Sequence, residues 1–188
     1  MDITITKATR SDTPTLRQLY ELYSHDFCDF MAADVGENGM FTDDEFMVGL
    51  WPLKNFDAYL ARADGKLAGF VWVTRNRSVF APGSLLYPDD THNLIDEFFV
   101  MRTYRKRGVG RHVAHTLFDR YPGVWEVSEI MTNTPAQAFW RRIVGEYTGG
   151  DFTEVTLDTD LWHGPVQVFK SREKTKETRS KSVKKPDF

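Results

Sequence analysis

The sequence predicts an α/β protein, an α+β arrangement in which a mixed, mostly antiparallel sheet is flanked by about four helices. Strand-like apolar segments alternate with segments whose apolar residues recur at helical spacing, in the order β-α-α-β-β-β-α-β-α-β-β. The 188 residues, 41% hydrophobic and 27% charged, suit one folded domain with a sizeable core. Because no internal repeat or linker interrupts this order, we expect a single domain over residues 1–170.

The first strand and helix have clear signals. Residues 3–6 alternate between apolar and polar side chains, which is typical of a half-buried strand. A helix is expected to begin at Asp12 or Thr13, because either side chain can cap it and Pro14 suits the first turn. Four residues at helical spacing should face the core: Leu16, Leu19, Tyr20 and Tyr23.

A second, short helix is predicted from Thr42, because Thr42 and Glu45 form a capping box. The Asp64-Gly65 pair then joins two apolar segments, residues 56–62 and 67–74, and indicates a β-hairpin. The remaining predicted elements are a loop over 75–90, a strand over 94–101, a helix ended by Pro122-Gly123, a strand over 124–131, a helix over 134–144, and strands over 152–157 and 166–169.

Composition restricts the location and the partners of the protein. Cys28 is the only cysteine, which excludes an intramolecular disulfide and favours a reducing cytoplasm. The N-terminus does not resemble a signal peptide, and no apolar run approaches the roughly 20 residues that cross a bilayer, so no membrane partner is expected. The five histidines show no metal-ligand spacing, and we expect no metal. The sequence leaves the oligomeric state open, with a homodimer as one alternative.

Residues 171–188 are rich in Lys, Arg, Ser and Thr and almost lack apolar residues. We therefore expect a basic, disordered C-terminal tail. A nucleic-acid partner for this tail is the less favoured interpretation, because acidic residues interrupt its charge and no aromatic residues are interleaved with it.

Charge is distributed unevenly along the chain. Residues 18–53 contain no Lys or Arg, whereas basic residues accumulate from Arg102 onward. The carboxylates of the acidic segment are Glu21, Asp26, Asp29, Asp34, Glu37, Asp43, Asp44 and Glu45. Such a division indicates either two binding surfaces of opposite sign or two solvated faces.

The most informative segment is residues 98–111, which predict a strand, a tight basic loop with two glycines, and the start of a helix. Free amides at the start of a helix point outward and bind anions, and Gly108 and Gly110 permit close approach of a ligand. Lys106, Arg107 and Arg111 add positive charge for phosphates. The nucleotide P-loop and the dinucleotide G-x-G-x-x-G patterns are both absent.

This strand, loop and helix resemble the acetyl-CoA motif [QR]-x-x-G-x-[GA] of the GNAT superfamily of N-acetyltransferases, with Arg105, Gly108 and Gly110 at the defining positions. Downstream, Asn133 to Trp140 are similar to a second family motif, N-x-x-A-x-x-F-[YW]. Both motifs occur in the family's order, and the resemblance extends in outline from residue 3 to residue 169. It implies a GNAT-like fold and the use of acetyl-CoA as a cosubstrate.

The resemblance also implies where acetyl-CoA would bind, in a V-shaped opening between the strands over 94–101 and 124–131. Its pantetheine arm would pair with the backbone of residues 98–100 and contact Asn133, and its pyrophosphate would take the amides of residues 107–111. The implied cofactor-binding residues are Phe98, Phe99, Val100, Arg105, Lys106, Arg107, Gly108, Val109, Gly110, Arg111, Asn133, Ala136 and Trp140.

Acetyl transfer to an amine requires a general base, because a protonated amine has no lone pair. Asp96 and Glu97 lie within an apolar strand, where burial would raise a carboxyl pKa, and the run from Asp96 to Met101 is similar to the same strand of diamine acetyltransferases. Because side chains alternate along a strand, we expect only one of the two to face the substrate. Glu126 on the neighbouring strand is another candidate, although an edge charge facing water is at least as good an interpretation.

The general acid is less clear, because Trp140 stands where the family often has a tyrosine, and an indole N–H does not titrate usefully. Either the thiolate leaves unassisted, or another phenol such as Tyr147 or Tyr104 protonates it. This departure also motivates an alternative function, that of a non-catalytic acetyl-CoA-binding or regulatory module.

In this family the segment between the first two helices lines the acceptor side. Here its carboxylates are interleaved with aromatic residues, including Phe27, Asp29 and Phe30, which suits a cationic amine. We therefore expect direct attack on acetyl-CoA, in a ternary complex, by a small polyamine-like or aminoglycoside-like amine or a cationic peptide end. The alternative is that this segment is simply a solvated acidic loop.

Overall fold

A computed structural model describes residues 1–77 and 92–172 and has the predicted α/β architecture. Short 3-10 turns lie at Arg10–Asp12 and Arg102–Tyr104. The helices and strands of the described residues are β1 (Ile3–Lys7), α1 (Thr13–Phe27), α2 (Asp44–Gly49), β2 (Phe56–Ala63), β3 (Lys66–Arg77), β4 (His92–Val100), α3 (Val109–Arg120), β5 (Val124–Ser128), α4 (Thr134–Thr148), β6 (Thr153–Asp158) and β7 (His163–Lys170).

The strands of the described residues form one seven-stranded sheet in the order β1-β2-β3-β4-β5-β7-β6. β4 and β5 are parallel, and the other neighbouring strands are antiparallel. The β4–β5 pairing covers three residue pairs and ends where Ile95 lies opposite Val127. β4 nevertheless continues to Val100, so the two strands separate in the middle of the sheet, as the predicted V-shaped opening requires.

Each face of the sheet carries its own apolar core. On one face α3 and α4 pack against the strands, and Phe118 and Trp125 are fully buried there. On the other face α1 and α2 cover a second core that includes Leu16, Phe70 and Phe99. Helices on both faces leave the gap between β4 and β5 accessible from the edge at which these strands separate.

The hairpin between β2 and β3 confirms the turn prediction. Asp64 has φ 49° and Gly65 has φ 76°, and Ala63 pairs with Lys66 across the turn. Two consecutive positive φ values match the right-handed twist of the strands that the turn connects.

Several predicted boundaries are wrong. α2 begins at Asp44 and not at Thr42, because Asp43 is its cap and accepts a hydrogen bond from the Phe46 amide at 2.8 Å. The Thr42 hydroxyl donates instead to Glu21 at 2.6 Å. β3 continues to Arg77, so the predicted loop loses its first three residues, and residues 78–90 of it lie outside the described part of the chain.

β5 ends at Ser128, three residues earlier than predicted, and α4 continues to Thr148, where Gly149 with φ 70° ends it. Ser171 and Arg172, which we assigned to the tail, pack against the domain. The Ser171 hydroxyl accepts from the Gly123 amide at 2.8 Å, and Arg172 donates to the Tyr147 carbonyl at 2.6 Å. Residues 173–188 lie outside the described residues, and their disorder stays a prediction. Across the described ranges, no helix combines the length and the apolar character needed to span a bilayer.

Candidate active site

A cavity of about 450 Å³ lies where β4 and β5 stop pairing. α1 and the segment after it cover one side, and the start of α4 forms another. Its lining includes Tyr20, Tyr23, Phe27, Asp34, Phe41, Asp96, Glu97, Phe98, Glu129, Asn133, Ala136, Trp140 and Trp162. The fold therefore brings together, around one cavity, residues from both predicted motifs and from the acidic segment.

A β-bulge at Asp96 shapes one wall of the cavity. Opposite β3, Glu97 pairs with Trp72 and Ile95 pairs with Val73, so Asp96 is inserted between these two pairs. An inserted residue interrupts the alternation of side chains along a strand. Both residues consequently line the cavity, Asp96 exposed and Glu97 half-buried, and the regular alternation behind the expectation that only one could face the substrate does not hold here.

Glu97 lies against α1, where the Tyr23 hydroxyl donates a hydrogen bond to its carboxylate. Burial raises the pKa of Glu97 to about 7; the Tyr23 hydrogen bond opposes this rise and the charge of Asp96 adds to it. A carboxyl group with this pKa is partly ionised at neutral pH, while remaining basic enough to accept a proton from an amine.

Two phenols complete the α1 side of the cavity. Burial raises the pKa of Tyr20 and of Tyr23 well above the ordinary tyrosine range, and the charge of Glu97 raises both further. The Tyr20 ring stacks on Trp72 with the ring centroids 4.8 Å apart. Both residues therefore form aromatic walls of the cavity and keep their hydroxyl protons in the neutral pH range.

Glu129 is the main site residue that the sequence did not reveal. It lies directly after β5 and lines the cavity, and only 4% of the residue is exposed. Gln167 Nε2 donates to its Oε2 at 3.2 Å, whereas its Oε1 is buried and has no hydrogen-bond partner among the described residues. The sequence predicts that β5 continues to residue 131, which makes Glu129 an ordinary strand residue. Its position four residues before Asn133 of the second motif is the one sequence feature that could have indicated a place in the site.

Burial raises the pKa of Glu129 to about 8. The Gln167 hydrogen bond opposes this rise, the charge of Glu154 adds to it, and Arg141 lowers it. Glu154 is itself held by Arg141, whose Nε lies 2.8 Å from the carboxylate. Glu129 is thus the second carboxyl group of the cavity, after Glu97, whose pKa is raised to near or above neutral.

Glu126 lies outside the cavity lining. It is 1% exposed and pairs with His92 Nδ1 inside the sheet, opposite Leu94 and Val168. The interpretation of Glu126 as an edge charge facing water is therefore wrong. Its position also removes the direct access to an amine that a general base requires.

The predicted alternative acids do not reach the cavity. Tyr147 is buried, its hydroxyl donates to Asp119 at 2.7 Å, and the Arg172 guanidinium lies 4.5 Å from the ring centroid. Burial raises the pKa of Tyr147 to about 12. Tyr104 belongs to the short turn before α3 and is not part of the lining. Trp140, by contrast, does line the cavity. Its ring packs edge-on against the Phe98 ring, with the two ring centroids 4.8 Å apart.

The predicted anion loop has the backbone shape that its glycines suggest. Gly108 caps α3 with φ 85°, and Lys106 also has a positive φ of 59°. A Cβ on Gly110 would lie 3.0 Å from the Phe139 ring, so this glycine permits the close approach of α3 and α4. The first amides of α3 have no acceptor within the helix and point outward, as an anion site requires.

The basic side chains of the loop divide into two groups. Arg105 bonds to Asp26 on α1 at 2.5 Å and to the Val100 carbonyl at 2.7 Å, and Arg111 pairs with Glu146 on α4. Lys106 and Arg107 are exposed, and no ion pair holds either of them within the described ranges. The charge available to a phosphate therefore comes mainly from this exposed pair.

These features fit acetyl-CoA. The backbone of residues 98–100 borders the gap where β4 has separated from β5. Asn133 caps α4 by accepting from the Ala136 amide at 3.1 Å, which fixes its side chain at the cavity wall. Among the described residues, a helix start with outward amides, a strand edge without a pairing strand and an adjoining cavity together suit a long anionic thioester.

The acidic segment contributes less charge to the cavity than expected. Glu21 accepts from the Phe41 and Thr42 amides, and Asp26 is paired with Arg102 and Arg105. Phe27 and Asp34 line the cavity. The other two predicted acceptor residues are not part of the lining: Asp29 is exposed, and the Phe30 carbonyl accepts from the Thr132 hydroxyl at 3.0 Å.

Comparison with known proteins agrees with this geometry. A family model described as the acetyltransferase (GNAT) family matches residues 16–145. Among solved structures, an acetyltransferase from Thermus thermophilus has a TM-score of 0.65 at 14% identity, over 90% of this chain and 97% of that one. No curated protein sequence matches the chain.

Two further structures share the fold. A ribosomal-protein-alanine N-acetyltransferase from Brucella melitensis has a TM-score of 0.54 at 17% identity, over 76% of this chain and 91% of that one. An aminoglycoside acetyltransferase from an uncultured soil metagenomic sample has a TM-score of 0.53 at 18% identity, over 75% and 86%. At these identities the similarity establishes the fold and leaves the acceptor open.

Proposed function

Because this chain belongs to the acetyltransferase (GNAT) family, we propose that it transfers the acetyl group of acetyl-CoA to a primary amine by direct attack in a ternary complex. The observation that carries the proposal is the position of Glu97. This carboxyl lies in the cavity between the separating strands, and burial raises its pKa to about 7.

Glu97 is the proposed general base. An amine acceptor is protonated at neutral pH, and the ionised Glu97 carboxylate accepts its proton so that the nitrogen lone pair is released. Tyr23, which donates to Glu97, keeps this carboxylate oriented and partly ionised in a buried position. Asp96 lies beside it in the bulge, where a negative charge attracts the cationic amine.

Acetyl-CoA supplies the acetyl group as an activated thioester. We assign its pyrophosphate to the amides at the start of α3, from Gly108 to Arg111, with the exposed Lys106 and Arg107 adding charge. The backbone of residues 98–100 and Asn133 would hold the pantetheine arm. Trp140 and Phe98 form an apolar floor that excludes water from the reacting groups.

The acceptor that best fits the cavity is a small cationic amine. The rings of Tyr20, Tyr23 and Phe27 face the same space as the carboxyl groups of Asp34 and Asp96. Aromatic faces attract cations and carboxylates pair with them, so this lining favours an ammonium group over a neutral or acidic acceptor. A volume of about 450 Å³ suits a small molecule or the end of a peptide.

A panel of amines with acetyl-CoA, followed by thiol release, tests this function. Diamines, polyamines, aminoglycosides and cationic peptide N-termini should give kcat/KM values at least about tenfold above those of neutral or acidic amines of similar size. A preference for acidic acceptors would contradict the proposed acceptor class. Tight coenzyme A binding without turnover of any amine would contradict the reaction itself and favour a non-catalytic acetyl-CoA-binding module.

A further inference from the structure

The family motif of this chain supplies no proton donor for the departing thiolate. Trp140 occupies the motif position where a tyrosine would protonate the departing thiolate, and an indole N–H does not titrate in the required range. The Tyr147 hydroxyl donates its hydrogen bond to Asp119, and Tyr147 is not part of the cavity lining. A residue that protonates the sulfur would therefore be another titratable group of the lining.

Most of the other titratable groups of the lining do not suit the role of a proton donor to the sulfur. Tyr20 and Tyr23 hold their protons too strongly, and the Tyr23 proton is already donated to Glu97. Asp34 is exposed, and Asp96 and Glu97 lie together on the β4 side, where the base is needed. Glu129 lies on the β5 side of the gap, four residues before Asn133, and lines the same cavity as Trp140.

Glu129 is held in a fixed position. Its amide donates to the Pro165 carbonyl at 3.1 Å, and its Oε2 accepts from Gln167. Gly164 packs so closely that a Cβ there would lie 2.1 Å from the Glu129 carbonyl oxygen. The remaining oxygen, Oε1, is buried without a partner in the described part of the chain, and the residue lines the cavity. A polar atom buried in this way has a strong tendency to take a ligand or a proton partner.

We propose that Glu129 is the general acid of this enzyme and protonates the coenzyme A sulfur as the thiolate leaves. This inference rests on the proposed acetyl transfer. The amine nitrogen forms a bond to the acetyl carbon, the C–S bond breaks with its electron pair going to sulfur, and the Glu129 carboxylic proton moves to that sulfur. The nitrogen loses two protons in the whole reaction: Glu97 takes one before the attack and passes it to solvent, and the second leaves the nitrogen to solvent after the bond to the acetyl carbon has formed. Solvent returns one proton to the Glu129 carboxylate, so the net products are the amide, the free thiol and one proton.

The electrostatic surroundings support this role. The polar and charged groups that act on Glu129 are Gln167, Glu154 and Arg141. The carboxyl groups of Asp96 and Glu97 belong to β4, on the other side of the cavity. Burial raises the pKa of Glu129 to about 8, so that it carries a proton at neutral pH. An alkyl thiol has a pKa of roughly 8.5, and an acid and a leaving group of similar pKa exchange a proton efficiently.

The test compares Glu129→Gln with the wild-type protein, using acetyl-CoA and the best amine of the panel. The expected result is a kcat lower by roughly 10²- to 10³-fold at pH 7, with the amine KM and the affinity for coenzyme A within about twofold of wild type. The decline of the wild-type kcat above pH 8 should be absent from Glu129→Gln. Glu129→Asp, which keeps a titratable proton, should recover part of the lost kcat.

A second measurement does not depend on activity. In wild-type protein labelled at the glutamate carboxyl carbons, the NMR resonance that Glu129→Gln removes should titrate near pH 8. A resonance that titrates below pH 6 would overturn the assignment of Glu129 as an acid. A raised amine KM with an unchanged kcat would overturn it too, because that result assigns Glu129 to acceptor binding. If wild-type protein acetylates no amine, the proposed function fails, whereas the carboxyl titration still tests the proton on Glu129.

Discussion

The Tyr23 hydroxyl donates a hydrogen bond to Glu97, and this contact joins α1 to the bulged strand β4. It lowers the pKa of a carboxyl group that burial otherwise raises. The two effects together leave Glu97 with a pKa of about 7, the range in which a general base works near neutral pH.

Replacing Tyr23 by Phe should raise the pKa of Glu97, because the hydrogen bond that stabilises its ionised form is lost. The ascending limb of the profile of kcat/KM against pH should move upward by roughly 0.5 to 1 unit. Tyr20→Phe is the control, because Tyr20 stacks on Trp72 and should keep its ring position. A limb that stays in place in Tyr23→Phe would show that another group controls it.

Replacing Gly108 by Ala should weaken coenzyme A binding about tenfold, because φ 85° strains an L residue by roughly 1 to 2 kcal/mol and displaces the amides of the loop. Titration calorimetry with coenzyme A measures this. Gly149→Ala is a matched control, since Gly149 also has a positive φ of 70° and open space around it, but ends α4 away from the loop. An equal loss of affinity in both variants would indicate a general loss of stability.

Replacing Tyr147 by Phe should lower the free energy of unfolding by about 1 kcal/mol, because the hydroxyl bonds to Asp119 and to the Arg172 amide. The kcat should not change, since Tyr147 lies outside the cavity. Urea unfolding and steady-state kinetics on the same preparation separate the two effects. A drop in kcat of tenfold or more would restore Tyr147 as an acid.

The buried Glu129 carboxyl should make wild-type stability depend on pH. Its folded pKa of about 8 exceeds the ordinary value of 4.5, so between these values the folded state binds more protons than the unfolded state. The free energy of unfolding should therefore fall as pH rises from about 4.5 to 8, by up to roughly 1.4 kcal/mol per unit of pKa difference. Glu129→Gln removes this contribution, and its stability should exceed that of wild type at pH 8.5 by more than at pH 5. Parallel curves for the two proteins in denaturant would contradict a raised pKa.

The fold was largely predictable because its signals are local. The Asp64-Gly65 turn, the Pro14 helix start and the apolar spacing of α1 and α3 each depend on neighbouring residues. The backbone of the loop before α3 was predictable for the same reason, since a run with Arg105, Gly108 and Gly110 forms one strand-to-helix connection.

The carboxyl groups of the cavity were harder to place because their environment comes from distant parts of the chain. The bulge that turns both Asp96 and Glu97 toward the cavity depends on pairing with Trp72 and Val73. Glu129 depends on the end of β5 and on Gln167 from β7. The pattern of apolar residues along one strand reveals neither the pairing that creates the bulge nor the contact between Glu129 and Gln167.

The kinetic effect of Glu97→Gln, compared with that of Asp96→Asn in the same bulge, decides whether Glu97 is the general base. At pH 7.5 we expect Glu97→Gln to lower kcat by roughly 10²- to 10⁴-fold while coenzyme A binds with wild-type affinity. Asp96→Asn should act mainly on the amine KM and lower kcat less than about tenfold. A Glu97→Gln variant with near wild-type kcat, or an Asp96→Asn variant with the larger loss, would contradict the assignment of Glu97 as the base.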